Sequence, residues 1–160
     1  RLNRAPGASV SDIAQAAHLA KNLRLVVVDY LGLVRSDERG LSIYERVTKN
    51  SAALKSLARS LNVPILCLAQ LNRAAEQRAD KCPSMADLRD SGAIEQDADA
   101  VILLHRPAAY EAKQPLPWEA QPLTAIVAKN RHGNIGRLDF DFWGSSGIIM
   151  EHRLEVGGGV

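Results

Sequence analysis

Asp29 and Gln70 are the residues of this chain best placed to do chemistry. Each closes an unbroken apolar run: Leu25-Val26-Val27-Val28 leads into Asp29, and Ile65-Leu66-Cys67-Leu68-Ala69 leads into Gln70. Apolar runs of this kind, without alternation, read as strands buried on both faces of a parallel sheet. Ligands of such sheets bind beyond the carboxyl ends of the strands. The two runs therefore deliver a carboxylate and a carboxamide side by side to a ligand edge. A fixed anion there can orient a magnesium ion beside phosphates, because magnesium keeps near-octahedral geometry and several waters. An amide there can donate and accept at a terminal phosphate without adding charge. The plainer alternative is two strand ends followed by ordinary loop residues.

Other residues invite chemistry less strongly. Lys129 and Arg131 stand two apart on a predicted strand, so both side chains leave the same face. On spacing alone that is a solvated strand edge, the commoner setting for exposed cations. Arg73, Arg78 and Lys81 put positive charge into a polar stretch and read equally well as a solvated loop. His18, His105, His132 and His152 lack metal-ligand spacing and read as structural. Trp118 and Trp143 have no aromatic platform around them on which bases could stack. Tyr30 reads as packing.

The elements that carry these residues follow from pattern. Ser9-x-x-Asp12 is a capping-box start, with Val10, Ile13, Ala17 and Ala20 near helical spacing and an end near Asn22. Ser42-Ile43-Tyr44-Glu45 opens a long helix whose apolar face is Val47, Leu54, Leu57, Ala58 and Leu61. Pro64 stops that helix and turns Val63 towards extended geometry. Strand, helix, strand in this order predicts a parallel pair. The polar stretch from Asn72 to Met85 has no apolar period and reads as a mobile loop. Ala100–Leu104 and Thr124–Ala128 read as further strands, with Pro107, Pro115, Pro117 and Pro122 breaking the chain into a surface excursion between them. Leu138–Trp143 alternates, as a half-solvated antiparallel strand does. Residues 1–8 and 151–160 read as loose ends of one domain spanning 1–160.

Composition bounds the classes open to it. At 160 residues the chain can bury most of its apolar surface in one core, and 46% hydrophobic with 24% charged residues is ordinary for a globular protein. A net charge of +2 is too small to argue for nucleic acid without a local basic patch. Two cysteines, Cys67 in a strand and Cys82 in a polar loop, make no disulfide framework and point to a reducing cytoplasmic compartment. No apolar run is long enough to span a membrane, and no signal peptide is visible.

The longest informative block runs Ala69-Gln70-Leu71-Asn72-Arg73, Glu76-Gln77-Arg78-Ala79-Asp80-Lys81, then Asp87-Leu88-Arg89-Asp90-Ser91-Gly92-Ala93-Ile94-Glu95-Gln96-Asp97-Ala98-Asp99. With Val28-Asp29-Tyr30-Leu31 before it and Lys129-Asn130-Arg131-His132-Gly133 after it, the stretch from about Ser9 to Met150 resembles the C-terminal ATPase domain of DnaB-type replicative DNA helicases. The resemblance implies an α/β, RecA-like phosphate-loop NTPase core: a mostly parallel sheet flanked by helices, with antiparallel strands at its C-terminal end. It implies a hexameric ring around single-stranded DNA that couples ATP hydrolysis to duplex unwinding at the replication fork, with primase and a helicase loader as further partners and no membrane. Residue by residue, Asp29 matches the Walker B aspartate that orients magnesium through water, and Gln70 the glutamine that senses the γ-phosphate. Lys129 and Arg131 match a pair that reaches the ATP site of the neighbouring subunit, the arginine as a finger on transition-state charge. Arg89, Asp90 and Gly92 match the loop that contacts the DNA backbone. Asp90 departs from the glutamate more usual there and is one methylene shorter.

Two expectations follow from what the sequence lacks. No G-x-x-x-x-G-K-[ST] occurs, and the family's catalytic glutamate has no counterpart, so the phosphate cradle is absent and the chain alone is expected not to hydrolyse ATP. In RecA-like strand order the phosphate-loop strand lies between the strand ending at Gln70 and the strand Ala100–Leu104, so the sheet is expected to be split there. A non-catalytic RecA-like remnant or binding module is the alternative to a motor part. Recombinase or clock-type ATPases fit the Asp87–Asp99 block less well.

Overall fold

Two capping boxes start the principal helices. In the computed structural model, which describes residues 7–72, 76–110, 116 and 118–152, the Asp12 N–H donates to Ser9 Oγ at 3.3 Å and the Ser9 N–H donates to Asp12 Oδ2 at 2.9 Å. This starts α1, Val10–His18. The same reciprocal pair between Ser42 and Glu45, at 3.2 and 2.9 Å, starts α2, Ile43–Leu61. Helix α2 ends where Asn62 turns left-handed at φ 51° and its N–H donates back to Ala58 and Arg59, with Pro64 two residues on. Strands β1, Val26–Val28, and β2, Ile65–Cys67, flank α2 in sequence and pair in parallel, Val26 opposite Ile65 and Val28 opposite Cys67.

The chain divides into two compact units, Arg1–Asn72 with Met85–Ala98, and Arg73–Ser84 with Asp99–Val160. The first has its core where Val28, Leu31, Val34, Val47, Leu54 and Leu57 meet, joined by Val10, Ile13, Val26, Ile65, Cys67 and Ile94. The stripe of α2 that faces it includes two polar residues. Asn50 is buried and its Nδ2 donates to the Val34 carbonyl at 2.9 Å; Ser51 is buried and its Oγ donates to Asp97 Oδ2 at 2.7 Å. Both are satisfied, which is what makes their burial tolerable. Asp97 ends α3, Gly92–Asp97, which follows the 3₁₀ segment Met85–Ser91.

The second unit is an antiparallel sheet of β3, Ala100–His105, β4, Ala120–Asn130, β5, Gly136–Trp143, and β6, Ile148–Glu151, in that spatial order. As expected of a split sheet, β2 and β3 belong to different sheets. The fold is α/β with a parallel and an antiparallel component, the parallel part being the β1–β2 pair.

Several details differ from expectation. Strand β2 ends at Cys67, so Gln70 lies three residues past the ladder and not at its tip. The apolar runs are covered on one face only: Val26, Val28, Ile65 and Cys67 face the core, while Val27 is 55% and Leu66 56% exposed. Helices α1 and α2 supply covering for one side, and alternation along a strand turns the next residue away from it. Pro122 sits inside β4 opposite Asp141 and does not break it. Strand β3 pairs with β4 only from Thr124 onward, so Pro122 occupies a stretch flanked by β5 alone, where a missing N–H is tolerated. Of the ends expected to be loose, Ala8 accepts a hydrogen bond from the Arg35 N–H at 3.0 Å and Glu151 closes β6; residues 1–6 and 153–160 lie outside the described residues.

Candidate functional site

The parallel pairing decides where Asp29 and Gln70 stand. Both follow the carboxyl ends of adjoining strands, on the same edge of the β1–β2 sheet. The two chains stay together beyond the ladder: the Leu68 N–H donates to the Val28 carbonyl at 2.9 Å, and the Leu31 N–H donates to the Leu68 carbonyl at 2.9 Å. Asp29 precedes the second of these bonds by two residues and Gln70 follows it by two. Both side chains are exposed to solvent.

The segment expected to meet DNA is tied to the same unit. The Asn72 N–H donates to the Asp87 carbonyl at 3.0 Å, which joins the chain leaving Gln70 to the 3₁₀ segment holding Arg89 and Asp90. Asp87 and Leu88 are buried there, at 3% and 4%. Beyond it, Ser51 holds Asp97 and Ile94 packs on the core, so the segment is anchored on both sides. The side chains of Arg89 and Asp90, and all of Arg73, lie outside the described residues. Gly92 opens α3, and a Cβ built on it would meet nothing within 4 Å.

Lys129 and Arg131 lie in the second unit at the β4 end. Lys129 is the penultimate residue of β4 and pairs with Val101. The ladder slips just before it, Ile102 pairing with Val127 and Val101 with Lys129, so Ala128 is an extra residue. A bulge of this kind re-aims the side chains that follow. Arg131 falls in the turn beyond β4, so strand alternation does not extend to it. The residue between them does the positioning: Asn130 Oδ1 accepts from the His132 N–H at 3.2 Å and its Nδ2 donates to the Asn134 carbonyl at 3.3 Å. A Cβ on Gly133 would lie 2.7 Å from that Nδ2. An Asn three residues before a Gly is a turn signal that reading Lys129 and Arg131 as a pair passed over. Arg131 also pairs with Asp99, its Nη1 donating to Oδ1 at 3.1 Å, a contact between residues 32 apart that no local pattern announces.

The family model for the DnaB-like helicase C-terminal domain matches residues 2–148. The chain belongs to that family. Among curated DnaB-like relatives, the replicative DNA helicase DnaB of Leifsonia xyli subsp. xyli is 53% identical over 111 residues, 69% of this chain and 24% of that protein. The replicative DNA helicase DnaC of Bacillus subtilis is 38% identical over 141 residues, 86% of this chain and 30% of that protein. The solved ATPase domain of G40P superposes with a TM-score of 0.80 at 33% identity, covering 92% of this chain and 52% of that one. A structure of a DnaB-like replicative helicase, described with its interactions with primase, superposes at 0.76 and 34% identity, covering 86% of this chain and 35% of that one. The chain thus spans under a third of the curated DnaB-like proteins it matches.

The exposed Asp29 carboxylate is the kind of donor magnesium takes. Among the described residues no group of three or more His, Cys, Asp or Glu side chains gathers to hold an ion. Asp29 offers one exposed carboxylate. Magnesium is commonly held by one or two carboxylates together with water and substrate phosphates. No helix among the described residues is long and apolar enough to cross a membrane.

Proposed function

We propose that this chain is the part of an ATP-driven, DNA-unwinding motor that carries the magnesium carboxylate, the γ-phosphate sensor, the finger and the DNA-contacting loop. The observation that carries the reading is the parallel register of β1 and β2, with Asp29 and Gln70 following the same sheet edge, in a chain that matches the DnaB-like domain over residues 2–148. A polypeptide supplying the phosphate loop completes the site, and the two units of this chain together form part of one RecA-like domain.

Asp29 would hold a magnesium ion, which would supply neutralisation of the charge developing on the phosphates. The exposed Asp29 carboxylate, at the carboxyl end of β1, would orient that ion. The Gln70 amide donates to a terminal phosphate oxygen. Its loss of that partner on hydrolysis reaches Arg89, Asp90 and Gly92 through the Asn72–Asp87 backbone bond. Lys129 and Arg131 act on the nucleotide of a neighbouring copy, which requires a ring; six copies around single-stranded DNA is the arrangement we favour, in the cytoplasm, with primase and a loader as partners. The second reading is a non-catalytic binding module with the same fold.

One experiment separates the two. The chain is joined to the phosphate-loop half of the ATPase domain of the Bacillus subtilis relative, and ATP hydrolysis and unwinding are measured. The motor reading expects both activities, and loss of both on Asp29→Ala. Hydrolysis that survives Asp29→Ala, or a folded chimera with no turnover at all, supports the binding module.

A further inference from the structure

We propose that Asp99 is the resting partner of Arg131, holding the finger at the end of β4 until a phosphate takes it. The inference rests on the finger reading above. Asp99 immediately precedes β3 and Arg131 immediately follows β4, and the last ladder pair is Ala100 with Asn130. The Arg131 N–H donates to the Asp99 carbonyl at 2.8 Å, so the two chains stay hydrogen-bonded just past the last ladder pair. Beside that bond the side chains meet, and Arg131 Nη1 donates to Asp99 Oδ1 at 3.1 Å.

The strength of the pair suits an exchange. The two side chains are 42% and 52% exposed, so the attraction is screened and biases the arginine by about fivefold or less. A buried, doubly bonded clamp would disable a finger. A screened ion pair limits where a long side chain wanders, yet yields to a phosphate, which carries more charge and matches the guanidinium fork. Asp99 is therefore a positioning residue. Its carboxylate occupies a donor that the finger needs and stands in for the anion it will meet.

The test uses the ring formed by the chimera described above. Asp99→Asn keeps the shape and removes the charge. It is expected to raise DNA-independent ATP turnover by two- to fivefold, with Asp99→Glu returning turnover towards the parent. In an Arg131→Ala background the gain is expected to vanish. An equal effect in both backgrounds, or no effect with Arg131 intact, overturns the resting role alone. Arg131→Ala that fails to slow turnover overturns the finger reading and the resting role with it. A second measurement needs no substitution: side-chain NMR of the chain is expected to show hindered guanidinium rotation at Arg131 that high salt releases. Free rotation at low salt overturns the proposal.

Discussion

At the scale of single residues, the site separates groups that hold the fold from groups that face outward. Arg131 is half exposed and its ion pair with Asp99 is screened, so losing that pair costs little stability. In assembled rings Arg131→Ala is expected to lower kcat by about 10³–10⁵, the range of arginine fingers, with the melting temperature unchanged. Steady-state turnover and thermal unfolding of the same samples check this. Gly92 has no neighbour that a methyl would strike, and its φ lies outside the left-handed region. Gly92→Ala is therefore expected to leave unfolding unchanged and to weaken single-stranded DNA binding, read by fluorescence anisotropy. Cys67 faces the core, and burial pushes its thiol up to about 11 from an ordinary 9.0. The folded state favours the neutral thiol, so the stability it contributes is complete below pH 9 and is lost as pH rises through 11. Near pH 8 a thiol reagent is expected to label Cys82 first, with Cys67 following only on unfolding; mass spectrometry of timed aliquots gives the order.

At the scale of elements, the helix starts were legible because a capping box is local. Ser9 with Asp12 and Ser42 with Glu45 are three residues apart, and both formed. Bonds from the Ser42 hydroxyl, then from its N–H, hold the Glu45 carboxyl below its ordinary 4.5; bonds from the Ser9 N–H, then its hydroxyl, hold Asp12 below 3.8. Depressed carboxyls stabilise the folded state above their unfolded values and lose that contribution as pH falls through the folded ones. Helical circular dichroism is thus expected to weaken on acidification below about pH 4.5, and less steeply in Glu45→Gln. Ser42→Ala is expected to cost about 1 kcal/mol in chemical denaturation. The polar half of the α2 stripe was not legible. Asn50 and Ser51 interrupt an apolar face, and their burial depends on the Val34 carbonyl and the Asp97 carboxylate, 16 and 46 residues away. Strand β6 was missed for a related reason: four exposed residues carry no burial period, and only pairing with β5 makes them a strand.

At the scale of the whole molecule, two sheets carry apolar side chains on faces that nothing among the described residues covers. Val27 and Leu66 stand out from the β1–β2 pair, and Ile102 and Leu104 from β3, each more than half exposed. Exposed apolar sheet faces mark an interaction site or an aggregation liability. The isolated chain is expected to self-associate in light scattering, and Val27→Thr with Leu66→Thr to reduce this without lowering the melting temperature. Joining the phosphate-loop half is expected to suppress association of the parent chain as well, by covering these faces.

What the amino-acid sequence determined alone is the set of local decisions. They include helix starts and stops, the apolar runs, and the order of Asp29, Gln70, the Asp87–Asp99 block and Lys129–Arg131. These follow from contacts a few residues apart, which a one-dimensional pattern contains. The tertiary structure decided the pairings. It set β1 parallel to β2 so that Asp29 and Gln70 share an edge, joined Asn72 to Asp87, and brought Asp99 against Arg131. Such partners are chosen by register and packing between distant segments, and neither is written in spacing along the chain.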